Sequence, residues 1–144
     1  MKKLILSTTL LFVILFSACK KDEPENATRT ELLTNGSWVI TAFMSDEDAN
    51  GTYEINDYAL IPNCIKDNYY TFKTNFELET NEGATKCSST DPQIFVLLWN
   101  FSNSETVLVI DTDAQNILEL TATTLKLKQD NGLNTSSIIT FTKR

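Results

Sequence analysis

The chain has no histidine. Without one, Ser–His–Asp and Cys–His catalysis are impossible, and so is histidine-bound zinc. Cysteine is scarce: three residues, Cys19, Cys64 and Cys87, with no Cys-x-x-Cys spacing to suggest a redox or thiolate–metal pair. The longest apolar run, Leu4 to Phe16, is interrupted by Ser7, Thr8 and Thr9 and falls well short of the roughly 20 residues that span a bilayer as a helix. There is no internal repeat. Beyond the first helix no helical pattern is long enough for a crossover, which excludes parallel βαβ architecture. Basic residues are few, 12 against 19 acidic ones, for a net charge of −7. Such a surface repels phosphate backbones, so no nucleic acid is expected as a partner. The acids sit mostly in turns or at outward strand positions, and none stands alone in an apolar run where burial would raise its pKa. Paired-carboxylate chemistry is therefore not expected, and neither is an enzyme.

What is present begins with a leader. Lys2 and Lys3 precede the apolar run, and Ser17-Ala18 place small residues before Cys19, the layout of a bacterial secretory signal. Phe16-Ser17-Ala18-Cys19 resembles the lipobox of bacterial lipoproteins, with Phe16 where the family usually has Leu. The resemblance implies that Cys19 becomes the lipidated first residue of the mature chain. Several acyl chains on one cysteine hold a protein firmly where a single chain does not. Loss of residues 1–18 takes Lys2 and Lys3 with it, leaving 126 residues and a net charge of −9. That length suits one domain with one core.

The expected organisation is a signal peptide over 1–18, a lipidated cysteine and flexible tether over 19–29, and a globular domain over 30–144. The tether is charged and polar around Pro24. Its opening Lys20-Lys21-Asp22-Glu23 resembles the export signal that sends some lipoproteins to the cell surface; a passive spacer is the alternative. The implied location is the outer membrane, lipid-anchored, with surface display or inner-leaflet retention both open.

The domain opens with "TRTELLTNGSW". Thr28 or Thr30 caps a short helix through Leu33, which Asn35-Gly36 ends. Strands follow: "SWVITAFM", then "YYTFK" and "FELET" around a two-residue turn Thr74-Asn75, with Tyr70, Phe72, Phe76 and Leu78 recurring at period two. "QIFVLLWNF" is almost continuously apolar, as for a strand covered on both faces or lining a cavity. "TVLVID", "NILELT" and "TLKLKQ" come next, the last with Lys126 and Lys128 on a wet face. Asn131-Gly132 predicts a hairpin turn before "SSIITFTK". About eight short antiparallel strands make an all-β domain. Closure into an up-and-down barrel removes exposed edges, while a β-sandwich fits the same periodicity.

Several stretches point to a family. Gly36-Ser37-Trp38, "DYALIPNCIKDNYYTF", "EGATKCSSTDPQ" and "ILELTATTLKLK" together resemble the lipocalin-like domain of small bacterial lipoproteins. The resemblance implies an eight-stranded barrel with a short N-terminal helix, Trp38 plugging its closed end, and capture of a small apolar ligand. It implies a basic residue late in the last strand against Trp38, either Arg144 or Lys143. It further implies that Cys64 and Cys87 pair as a disulfide in an oxidising compartment, which leaves Cys19 free for its lipid. The implied partners are the membrane and a small molecule, with the domain itself a monomer.

Two further sets carry chemistry. "DEDANGTYEIND" places Asp46, Asp48, Asn50, Gly51, Glu54 and Asp57 at the ligand positions of an EF-hand-like calcium loop, with Asp in place of the final Glu and a strand where the entering helix belongs. Calcium is the one cofactor this pattern allows; a polar inter-strand loop is the plain alternative. Aromatic residues are abundant, and Tyr70, Phe72, Phe95, Leu97 and Trp99 share strand parity near the middle of the sheet. They are the candidate lining of an open barrel. If they fill the barrel instead, the domain is an interaction module acting through its loops.

Overall fold

The computed structural model describes residues 27–144. The leader, Cys19 and the tether up to residue 26 lie outside the described residues. The fold begins at Thr28. Its hydroxyl accepts from the Glu31 amide (3.2 Å), and the Glu31 carboxylate accepts from the Thr28 amide (2.8 Å). This reciprocal capping box starts α1 (Arg29–Thr34) at Thr28 instead of Thr30, just ahead of the expected boundary. Asn35 ends the helix, and Gly36 turns the chain at φ +101°, a conformation that side chains rarely adopt.

Next come β1 (Trp38–Asp46), β2 (Ile55–Asn56), a 3-10 turn (Asp57–Leu60) and α2 (Asn63–Lys66). The remaining strands form a meander: β3 (Tyr69–Phe72), β4 (Glu77–Asn81), β5 (Ile94–Ser102), β6 (Val107–Ile110), β7 (Asp113–Leu120), β8 (Thr124–Gly132) and β9 (Thr135–Lys143). Every neighbouring pair is antiparallel, and β9 returns to β1 in a ladder running from Trp38↔Lys143 to Asp46↔Ser136. That ladder decides between barrel and sandwich. The wall is a closed barrel of eight strands, with β2 a two-residue appendage on the far end of β1. The seam between β1 and β3 is the weak join, a single pair, Trp38↔Tyr70.

The inward face supplies the core: Leu33, Trp38, Phe72, Leu78, Trp99, Leu108, Leu125, Leu127 and Phe141 are all buried. Burying side chains of this size contributes about 1.5–3 kcal/mol each. On β8 the alternation is as expected, Leu125 and Leu127 inward and Lys126 outward, where it pairs with Glu119 across the strands (2.6 Å). Trp99 is the aromatic hub, edge-on to Phe72 and Phe101 at 5.7 and 5.4 Å between centroids.

Three local expectations are corrected. The β3–β4 connection is longer than the two residues Thr74-Asn75. The Phe76 amide bonds back to Lys73 and the Lys73 amide bonds to Glu77. This type I turn leaves Phe76 left-handed at φ +67°, outside the strand and half-exposed, so it does not continue the period of Tyr70 and Phe72. At the β8–β9 hairpin the turn is Leu133-Asn134, both at positive φ, and not Asn131-Gly132. Asn131 is the extra residue of a bulge between Asp130 and Gly132, and its side-chain amide exchanges hydrogen bonds with the buried Ser137 hydroxyl. Finally, β5 is not covered on both faces. Ile94, Val96 and Leu98 point outward from the barrel wall and are exposed, and β6, which ends at Ile110 opposite Trp99, leaves this half of β5 without a strand neighbour on that side.

Candidate functional site

The closed end is built around Trp38. Its indole is fully buried and donates to the Leu33 carbonyl (2.8 Å), which fixes α1 across the bottom of the barrel. The cation over it is Lys143, whose Nζ lies 3.9 Å from the ring centre and donates to the carbonyls of Leu32 (3.0 Å) and Asn35. Of the two candidates, therefore, Lys143 takes the role and Arg144 does not. The register explains why: Lys143 is paired with Trp38 and shares its face, so Arg144 projects the other way, over the Tyr69 ring at 4.5 Å. A Cβ on Gly36 would stand 3.3 Å from the Lys143 Cδ, so the glycine keeps space for the lysine stem. Burial lowers the Lys143 pKa from its ordinary value.

Above this plug lies a cavity of about 200 Å³. Of the five residues predicted to line it, Tyr70, Phe72 and Leu97 do; Ile40, Leu78, Ile139 and Phe141 complete most of the apolar wall. Trp99 does not line it, being packed beneath in the aromatic cluster with its indole N–H on the Lys73 carbonyl (3.1 Å). Phe95 does not line it either and is partly exposed near the outer end of β5. Two polar residues went unpredicted, Thr80 and Gln115. Thr80 was legible, since it follows Leu78 at period two; Gln115 was not, because β7 begins earlier than its apolar run.

The rim opposite α1 is shaped by the disulfide. Cys64 and Cys87 are bonded, with Cα atoms 5.2 Å apart, and join α2 to the 82–93 segment. Cys64 thus stands in the helical turn α2. The Asp67 carboxylate reinforces the join by accepting from the amides of Ala84 (3.0 Å) and Thr85 (2.9 Å). Gly83 turns at φ +65° so close to the Asp67 carbonyl that a Cβ would fall 2.4 Å from its oxygen. The "EGATKC" stretch is therefore a structural clasp. Asn68, buried beside it, reaches the carbonyls of Glu82 and Cys64 with its amide nitrogen (3.1 and 3.0 Å).

The acidic loop satisfies itself. Asp46 accepts from the amides of Asn50 (3.1 Å) and Gly51 (2.9 Å), and Asp48 accepts from Asn50. Asn50 takes the Thr52 amide (2.7 Å), and Asp57 accepts from the Ser45 hydroxyl (2.5 Å). Glu54 lines the same shallow acidic depression without joining these bonds. Among the described residues, no three acidic or cysteine side chains are grouped as a metal site. The residues in EF-hand positions close the loop with Asx turns instead of converging on a centre.

Comparison with known proteins supports the fold. No family model and no curated protein matches the sequence. A crystal structure of a DUF4847 family protein from Bacteroides vulgatus ATCC 8482 is similar at a TM-score of 0.51 and 13% identity, covering 79% of this chain and 96% of that one. At that identity the likeness concerns architecture alone. The chain is a closed antiparallel barrel of eight strands, with a helix-plugged end, an internal cavity and a disulfide-stapled rim.

Proposed function

We propose that the protein is a lipid-anchored, non-catalytic carrier of a small apolar molecule, held at the outer membrane through Cys19 and displayed at the cell surface. The cavity carries this reading. It is a half-open hollow within the barrel, lined chiefly by aromatic and aliphatic side chains, as small-molecule sites are. Its volume, about 200 Å³, is below the roughly 300–1,000 Å³ of most such sites but above a cavity of about 150 Å³ known to admit benzene. The anchor rests on the leader and the lipobox-like Phe16-Ser17-Ala18-Cys19, and surface display on the lysine–acid run that follows.

Native mass spectrometry of protein extracted from its own cells tests both halves. A co-purifying small-molecule adduct that Leu97→Trp eliminates is the expected result, along with a mature chain that starts at Cys19 and carries acyl mass. Consistent absence of any adduct would overturn the carrier, and an unacylated Cys19 would overturn the anchor.

The second reading, an interaction module, is favoured by the outer face of β5, where Ile94, Val96 and Leu98 expose an uninterrupted apolar row.

A further inference from the structure

We infer that the barrel cavity selects small amines: a compact apolar body lies among Phe72, Leu97 and Phe141 while its ammonium head pairs with the Glu82 carboxylate. The inference rests on the carrier reading and adds a ligand class to it.

The backbone places Glu82. The β4–β5 ladder runs through Asn81↔Ile94, and the Glu82 amide extends it by donating to the Gln93 carbonyl (3.0 Å). Strand alternation then puts Glu82 on the face that carries Leu78 and Thr80, one inward position beyond the cavity lining, where its charge reaches the lining residue Tyr70. Glu82 is 8% exposed, and its Oε2 is shielded from solvent with no hydrogen-bond partner. None of the ion pairs among the described residues includes it. The carboxylate also acts on the cavity wall: the Tyr70 phenol is raised above its ordinary pKa by burial first and by the charge of Glu82 second.

A dry carboxylate oxygen without a donor is costly in a fold, and such groups call for an explanation. The surroundings determine what would complete it. A water would satisfy Oε2 as a donor but brings no opposite charge to a buried carboxylate. An anionic ligand would meet like charge from Glu82 and from an acidic protein. A neutral hydrocarbon would leave Oε2 unpaired. An ammonium supplies both the opposite charge and the donors, and the Tyr70, Phe72 and Phe141 rings offer faces that favour a cation nearby. The cavity volume limits the body to about one six-membered ring with a short arm.

The experiment is calorimetric titration of the intact mature protein with three probes of one shape: phenethylamine, 2-phenylethanol and 3-phenylpropionate. The expected order is amine over alcohol by about ten-fold or more, the scale of a charge-assisted hydrogen bond, with no binding of the acid. Glu82→Gln should bring the amine down to the alcohol's affinity and leave the alcohol within about two-fold. Leu97→Trp should abolish both. Equal binding of amine and alcohol by the wild type overturns amine selection, whatever the variants do, and leaves the carrier standing. An amine preference that survives Glu82→Gln removes Glu82 from the role. Binding of none of the probes overturns the selection, and the carrier then stands or falls on the co-purified adduct.

Discussion

The ammonium of Lys143 sits over the buried indole of Trp38, 3.9 Å from its centre, while reaching two carbonyls at the end of α1. One side chain from the last strand thereby fastens the first helix and the first strand together. Lys143→Met should lose the cation–π contact and the bonds to Leu32 and Asn35, lowering stability by about 1–3 kcal/mol. Arg144→Ala, which removes only an outer contact with Tyr69, should cost under about 1 kcal/mol. Urea unfolding of the two variants in parallel measures the difference, and equal losses would contradict the assignment of Lys143 as the basic partner.

Breaking the disulfide should cost about 3 kcal/mol, from the 23-residue separation of Cys64 and Cys87 and the chain entropy it removes. The Cys64→Ser, Cys87→Ser double variant and the wild type in reductant should unfold at the same urea midpoint. A barrel indifferent to both treatments would show that the Asp67 clasp suffices alone.

Phe76 offers a reversal of the usual order of Ala over Gly. Its φ of +67° disfavours any residue with a Cβ by roughly 1–2 kcal/mol, and its ring lies 5.5 Å from Trp99. Phe76→Gly should sit within about 1 kcal/mol of wild type, since relieved strain offsets the lost ring contact. Phe76→Ala keeps the strain and loses the ring, so it should be the less stable of the two by thermal melting.

Alkaline pH should expose Tyr70. Its folded-state pKa is raised, so the folded protein holds the phenolic proton after the unfolded chain has released it. The unfolded state then binds fewer protons, and stability falls as pH rises above about 10 toward the raised value. Tyr70→Phe should flatten that fall, and Glu82→Gln should reduce it by removing the lesser of its two causes. Urea midpoints between pH 9 and 11 provide the test.

Val96→Lys should leave the barrel's stability within about 0.5 kcal/mol, because Val96 is 54% exposed on the outer face of β5. It should also raise the concentration at which light scattering reports a single species, since a lysine blunts an exposed apolar edge. A large loss of stability would mean that this row is packed against something.

Much of the barrel was legible because its strands alternate cleanly: Leu125 and Leu127 against Lys126 and Lys128 leave no choice of face. Thr28 and Gly36 likewise announced α1 through capping chemistry. The misreadings have a common physical origin. For β5 the sequence left two readings open, a strand covered on both faces or one lining a cavity. Leu97 lines the cavity while Ile94, Val96 and Leu98 face outward uncovered, because composition reports hydrophobicity and not what lies against each face. Choosing Lys143 over Arg144 required the β1–β9 register, a pairing between strands about 100 residues apart. Glu82 was invisible for a similar reason. Its place beyond the end of an alternating strand reads as a turn, and only the ladder bond to Gln93 turns it inward.

The β1–β9 ladder also carries a consequence for how the molecule comes into being. Seven of the eight wall strands are joined as consecutive hairpins, which close small loops and form early. β1 meets β3 at one pair alone, so its lasting partner is β9, about 100 residues further along the chain. β1 must therefore wait for β9 to be made before it is satisfied. Until then it is an unpaired edge, held only by α1 and whatever shields it. Shortening the chain at its C-terminus by a single strand would leave an open sheet in place of a slightly smaller barrel.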